Sequence, residues 1–172
     1  MSLANKNSSL SWLWLTVIFL VIDQITKQWV VATMELHQSI DVLSFFNITY
    51  AQNPGAAFSF LADQAGWQRW FFTVIALIAS VVFLVWLKRT PKEQPLLAAA
   101  LACMLSGALG NLIDRVLFGY VIDFLDFYVG SSHWPAFNVA DSVIFVGAGL
   151  MILDSFVNND TPQDTELNKV NK

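Results

Sequence analysis

The sequence predicts an all-α polytopic membrane protein of four transmembrane helices with a small extracytoplasmic β-cradle. Three observations predict it. Of 172 residues, 56% are hydrophobic and only 13% charged, about half the charged share of a soluble domain. The apolar residues come in four blocks of membrane-spanning length. Between the first two blocks, FNITY at 46–50 alternates apolar with polar and is followed by the turn signal Asn53-Pro54-Gly55, the signature of a short hairpin.

The first block, residues 10–31, holds 22 residues and covers roughly 33 Å as a helix, enough for a bilayer core. Lys6 ahead of an apolar run suggests a cleaved signal peptide, but no small-x-small site follows, and an uncleaved span is expected. Residues 35–69 form the outer-face segment with the hairpin. The second span, 70–87, has no charge and ends at Lys88, Arg89 and Lys92, with Pro91 and Pro95 breaking the helix. The third, 96–118, is apolar until Gly110, and Ser106 and Gly110 form a small-xxx-small pair for close packing. Residues 119–135 read as a loop or surface segment, and 136–157 as the fourth span. One domain over 1–157 and a polar cytoplasmic tail at 158–172 are expected, with no internal repeat.

The Lys88, Arg89 and Lys92 cluster places its loop on the cytoplasmic side, and four spans then put both termini inside. Lys6, Lys169 and Lys172 agree. So do two tryptophan belts, Trp12, Trp14 and Trp86 at the inner ends and Trp29, Trp67, Trp70 and Trp134 at the outer.

Within this frame the stretch 110–141 is anomalous: four Asp, one Arg and two Asn fall in thirty-two positions. Intramembrane polar groups are costly and point to function. Asp23, Asp114, Asp123, Asn138 and Asp141 all come to one depth near the outer surface, while the inner halves of the spans carry no charge. An ion or proton pathway needs polar groups through that depth, which argues against a transporter. Cys103 is the only cysteine and reads as a core residue; His37 and His133 have no partner at ligand spacing. Net charge is −4, and nothing suggests nucleic acid.

Carboxylates, one Arg and amides remain. Two carboxylates in a poorly solvated place cannot both ionise comfortably, and the pair can activate water and protonate a leaving amine. A hard divalent cation held by the same Asp residues is the rival reading.

The motifs DQITK (23–27), NPGAAF (53–58), GNLIDR (110–115), VIDF (121–124) and FNVAD (137–141), in this order across four spans, resemble the lipoprotein signal peptidases, the type II signal peptidases of bacteria. The resemblance runs from about residue 10 to 154. It implies a cofactor-free aspartic endopeptidase of the bacterial inner membrane, blocked by globomycin. Such an enzyme cleaves diacylglyceryl-modified prolipoproteins before the lipidated cysteine, with membrane lipid around it. It further implies Asp123 and Asp141 as the catalytic pair, near the outer face. Asp23, Asn53, Asn111, Asp114, Arg115 and Asn138 match its supporting and substrate-contacting positions. No metal is implied, and a monomer is expected.

Plainer roles stand beside these. Asp114 can be a buried residue that holds helices together, Asn138 a cap on the fourth helix with Asp141 favoured by the helix dipole, and Asp23 an i,i+4 partner of Lys27. Asp126 reads as a solvated or interfacial carboxylate, and Gly107, Gly110, Gly147 and Gly149 as packing residues. The alternative function is a non-catalytic membrane protein that binds or escorts lipidated or signal-anchored partners.

Overall fold

The computed structural model describes residues 8–55 and 67–158. The readings placed on Lys6, on the last three residues of NPGAAF, on Lys169 and Lys172 and on nearly all of the tail lie outside the described residues. Helices α1 (Leu13–Thr33, after a 3-10 turn at Ser9–Trp12), α2 (Trp67–Arg89), α3 (Pro95–Leu117) and α4 (Val139–Asn158) are each long and apolar enough to cross a membrane. Strands β1 (Ser39–Leu43), β2 (Phe46–Asn53), β3 (Val121–Val129) and β4 (Ser132–His133) complete the chain. The protein is a polytopic membrane protein of four helices and one small sheet.

The central helix is α3, 61% of whose apolar window is buried against 17% in each of the others. Its sequence explains this. Ala98, Ala100, Ala102, Gly107, Ala108 and Gly110 are all buried, and small side chains let neighbouring backbones approach where lipid offers no hydrophobic drive. A Cβ on Gly107 would strike the Ala140 carbonyl and Ile144; one on Gly147 would lie 2.8 Å from the Ala100 carbonyl. These two glycines set the α3–α4 spacing. Gly149 does not share the expected packing role, because it fronts open space on the exposed side of α4.

The sheet has the order β1-β2-β3-β4, antiparallel throughout. The expected hairpin is present as β1 and β2, and Asn53 closes β2 at the turn. The expected loop at 119–135 is instead β3 and β4. The run VIDFLDFYV is rich in β-branched and aromatic residues, which suit a pleated surface. Its first four residues are all buried, so no inside–outside alternation marks the strand.

Asp126 is buried rather than solvated, because β4 folds back and sets His133 Nδ1 2.9 Å from its carboxylate. The His133 ring stacks on Tyr128 at 4.9 Å. A bulge between Ile48 and Ala51 shifts the β2–β3 register, so that Asp123 pairs with Ala51 and Asn53 with Val121; bulges re-aim side chains in this way. Beneath the sheet, Val30 and Met34 from the end of α1 pack with Tyr50, Ile122 and Phe124.

One polar cluster fastens bundle to sheet. Lys27 is fully buried, and its ammonium lies 2.9 Å from Asp23 Oδ2, 2.9 Å from Asp114 Oδ2 and 3.1 Å from Asn111 Oδ1. Three N–H donors thus meet three acceptors. Asp23 Oδ1 accepts from the Ala140 amide at 2.8 Å, in the first turn of α4, where helix N–H groups lack partners. Asp114 Oδ2 accepts from the Ile122 amide of β3 at 3.2 Å, and its Oδ1 from Gln24 Nε2 at 3.0 Å. The Asp23–Lys27 pair expected from spacing is real, but it is a junction of α1, α3, α4 and β3 rather than a helix-surface pair. Lys27 and Gln24 were absent from the expected site. A lysine four residues after an aspartate within an apolar span was the available signal.

Removing one partner of a buried ion pair costs about 3–5 kcal/mol. Lys27→Met should therefore lower the melting temperature of the purified protein substantially, and Asp114→Asn in the same chain should recover part of the loss. Unchanged melting of Lys27→Met would contradict the junction.

Candidate active site

The sheet joins the C-terminal ends of α1 and α3 to the N-terminal ends of α2 and α4. Polar residues at those ends therefore meet beneath it. Asp123 stands on β3, and Asn53 comes from the end of β2. Asn111 and Arg115 lie in the last turns of α3, Asn138 just before α4 and Asp141 in its first turn.

Asn138 is fully buried and touches both candidate carboxylates. Its Nδ2 donates to Asp123 Oδ1 at 2.7 Å. Its Oδ1 accepts from the Asp141 amide at 3.0 Å, while the Asn138 amide donates to Asp141 Oδ2 at 3.4 Å. This reciprocal pair is a capping box. The expected cap at Asn138 is therefore present, and the same residue also reaches the carboxylate on β3. Asn111 Nδ2 donates to Asp141 Oδ1 at 2.8 Å. Since Asn111 Oδ1 faces Lys27, the lysine also orients this amide, and through it Asp141.

Asp123 is 3% exposed. Its Oδ2 accepts from Asn53 Nδ2 at 3.0 Å, so each oxygen has one amide donor. Those donors favour the ionised form, yet burial first and the charge of Asp141 second push the carboxyl up to about 7. Asp141 is half-buried and forms part of the wall of a groove of about 500 Å³ with Trp134, Phe137, Ser142, Phe145 and Val146.

The arrangement therefore brings Asn53, Asn111, Asp123, Asn138 and Asp141 into direct contact. Asp23 and Asp114 stand one layer back, around Lys27. Arg115 does not pair with the adjacent Asp114. It lies in the field of Asp141 and Asp123, donates from Nη1 to the Asn111 carbonyl at 3.3 Å, and keeps Nε buried without a hydrogen-bond partner among the described residues. The guanidinium is a rigid planar fork of N–H donors. Chemically, two carboxylates in unlike surroundings can divide acid and base roles. Among the described residues no group of three His, Cys, Asp or Glu is placed to hold a metal ion.

The family model described as Signal peptidase (SPase) II matches residues 15–157. A protein named lipoprotein signal peptidase from Alteromonas mediterranea is 57% identical over 155 residues, 90% of this chain and 85% of that protein. One of the same name from Shewanella loihica is 53% identical, covering 95% and 96%. A solved structure described as a bacterial membrane enzyme superimposes with a TM-score of 0.79 at 30% identity, covering 93% of this chain and 97% of the other. The chain belongs to the signal peptidase II family.

Proposed function

We propose that this chain is a membrane-embedded aspartic endopeptidase that removes the signal peptide from diacylglyceryl-modified prolipoproteins, cutting before the lipidated cysteine. Family membership supports a multi-pass inner-membrane protease acting on prolipoproteins. The aspartic mechanism rests on one observation. Two carboxylates from separate elements meet at Asn138, and the more buried one, Asp123, is pushed up to about 7 beside the other.

In this reading Asp123 serves as the acid and Asp141 as the base. Asp141 takes a proton from a water molecule, and the oxygen attacks the scissile carbonyl. Asp123 gives its proton to the developing oxyanion. As the tetrahedral intermediate collapses, the C–N bond breaks, Asp123 recovers its proton, and Asp141 passes the other to the leaving nitrogen. Water is consumed, a carboxyl and an amine are formed, and both residues return to their starting states.

The remaining candidates support that exchange. Asn111 and Asn138 hold the Asp141 carboxylate, Asn53 and Asn138 hold Asp123, and Arg115 donates to a substrate carbonyl. Asp23 and Asp114 build the place where these meet. The orientation follows from charge. Lys88, Arg89 and Lys92 lie at the bundle end opposite the sheet, so the positive-inside tendency turns the sheet and both carboxylates outward. Both termini are then cytoplasmic. Residues 1–157 are read as one peptidase domain, with the tail at 158–172 outside it.

General acid–base catalysis typically contributes 10²–10⁴-fold. Asp123→Asn and Asp141→Asn should each lower cleavage of a diacylglyceryl-modified precursor by the purified protein at least ~100-fold. Precursor binding with no processing by the unaltered protein would favour an escort, and full cleavage by either variant would sink the assignment.

The pH profile follows from the same pair. kcat/KM should fall by half near pH 7 as Asp123 loses its proton, and fall again on the acid side as the pair takes a second proton. Stability carries the same sign. An unfolded aspartate titrates near ~3.9, so between there and about 7 the folded state holds a proton that the unfolded chain has shed. Melting temperature should therefore decline as pH rises through that window, and the decline should shrink in Asp123→Asn. A pH-independent kcat/KM between 5 and 9 would contradict the assignment.

A further inference from the structure

Arg115 reaches the site with few bonds of its own, and what holds it comes from another helix. The first turns of α2 meet the last turn of α3 there. Arg69 Nε donates to the Arg115 carbonyl at 3.0 Å, and Arg69 Nη2 to the Val116 carbonyl at 3.0 Å. Both oxygens belong to the end of α3, where carbonyls lack helical partners. Gly119, at φ +89°, lets the chain turn over this contact; a Cβ there would lie 3.1 Å from Arg69 Nη1.

One turn further along α2, the Phe72 ring centroid lies 5.5 Å from the Arg115 guanidinium carbon, within cation–π range. The same ring closes on Gly55, whose φ of +114° and lack of a Cβ permit the approach. The Gly55 amide donates to Asn53 Oδ1 at 2.9 Å, and Asn53 in turn holds Asp123. Arg69 therefore fixes the backbone of Arg115, and Phe72 lies between the Arg115 side chain and the turn that supports Asp123.

We propose that Arg69 and Phe72 are positioning residues that clamp the Arg115 guanidinium in register with Asp123. They act through Arg115, and the proposal rests on the reading that Arg115 receives a substrate carbonyl. Arg69 suits this task because its rigid planar fork is pre-organised to span two adjacent carbonyls at once, whereas a lysine offers a flexible point charge. Phe72 suits it because a ring face stabilises a cation without consuming its N–H donors.

The test is a double-mutant cycle on the purified full-length protein with a diacylglyceryl-modified precursor. Arg69→Met and Phe72→Leu should each lower kcat/KM about tenfold, with Arg69→Lys recovering little. In an Arg115→Lys background both substitutions should become silent, within about twofold, since there is no fork left to aim. A merely structural contribution would lower kcat/KM by the same factor in both backgrounds and would overturn the clamp. Phe72→Leu keeps apolarity and most of the side-chain volume, so it decides the matter if Arg69→Met does not fold. If Arg115→Lys alone leaves kcat/KM unchanged, the reading of Arg115 fails and takes the clamp with it. If Arg115→Lys is impaired and the α2 variants remain additive, the clamp alone is overturned.

Discussion

A charged ammonium with no access to water must find three acceptors, and the sheet end of this protein is arranged to supply them. Lys27 has Asp23, Asp114 and Asn111 around it, and each of those carries the constraint onward. Asp23 takes a free amide of α4, Asp114 takes an amide of β3, and Asn111 takes the Asp141 carboxylate. An unpaired charge at this depth would cost several kcal/mol. The helix ends and the strand are therefore held in one relative position by groups that have no cheaper partner. Catalytic geometry needs such an inner support, because misplacement of reacting groups by about 1 Å can cost a hundredfold in rate.

Above that support, the two candidate carboxylates differ in the way that acid and base must differ. Asp123 is buried on a strand and Asp141 half-exposed at the start of a helix, where the dipole favours its charge. Asn138 joins the two, its side-chain amide donating to Asp123 and its backbone amide to Asp141. Its capping of α4 and its contact with Asp123 are a single arrangement, so the plain and the functional readings of this residue do not compete. The glycines serve the same end. Gly107 brings the α4 start against α3, without which neither Asn111 nor Asp23 would reach it.

Much of this was legible in the sequence, for reasons that can be stated. The four spans follow from block length, and the gathering of polar residues at one end follows from topology alone. The strand carrying Asp123 was not legible. It is buried on both faces, so it lacks a period of two, and its aspartates at 123 and 126 break up the apolar run. Asp126 was misread for a related reason: its partner His133 comes from a two-residue strand that no pattern announces. Lys27 was visible as a neighbour of Asp23, but its ties to Asp114 and Asn111 cross more than eighty residues. Arg69 and Phe72 carried no local sign, since their significance depends on how α2 meets the end of α3.

The central claim is that Asp123 holds a proton up to near-neutral pH. Infrared difference spectroscopy on the ¹³C-aspartate-labelled protein, with Asp123→Asn as the assignment control, measures this directly. The account predicts a protonated carboxyl band that titrates away near pH 7 and is missing from the control. A carboxylate at position 123 that stays fully ionised down to about pH 5, within the ordinary range for aspartate, would contradict it.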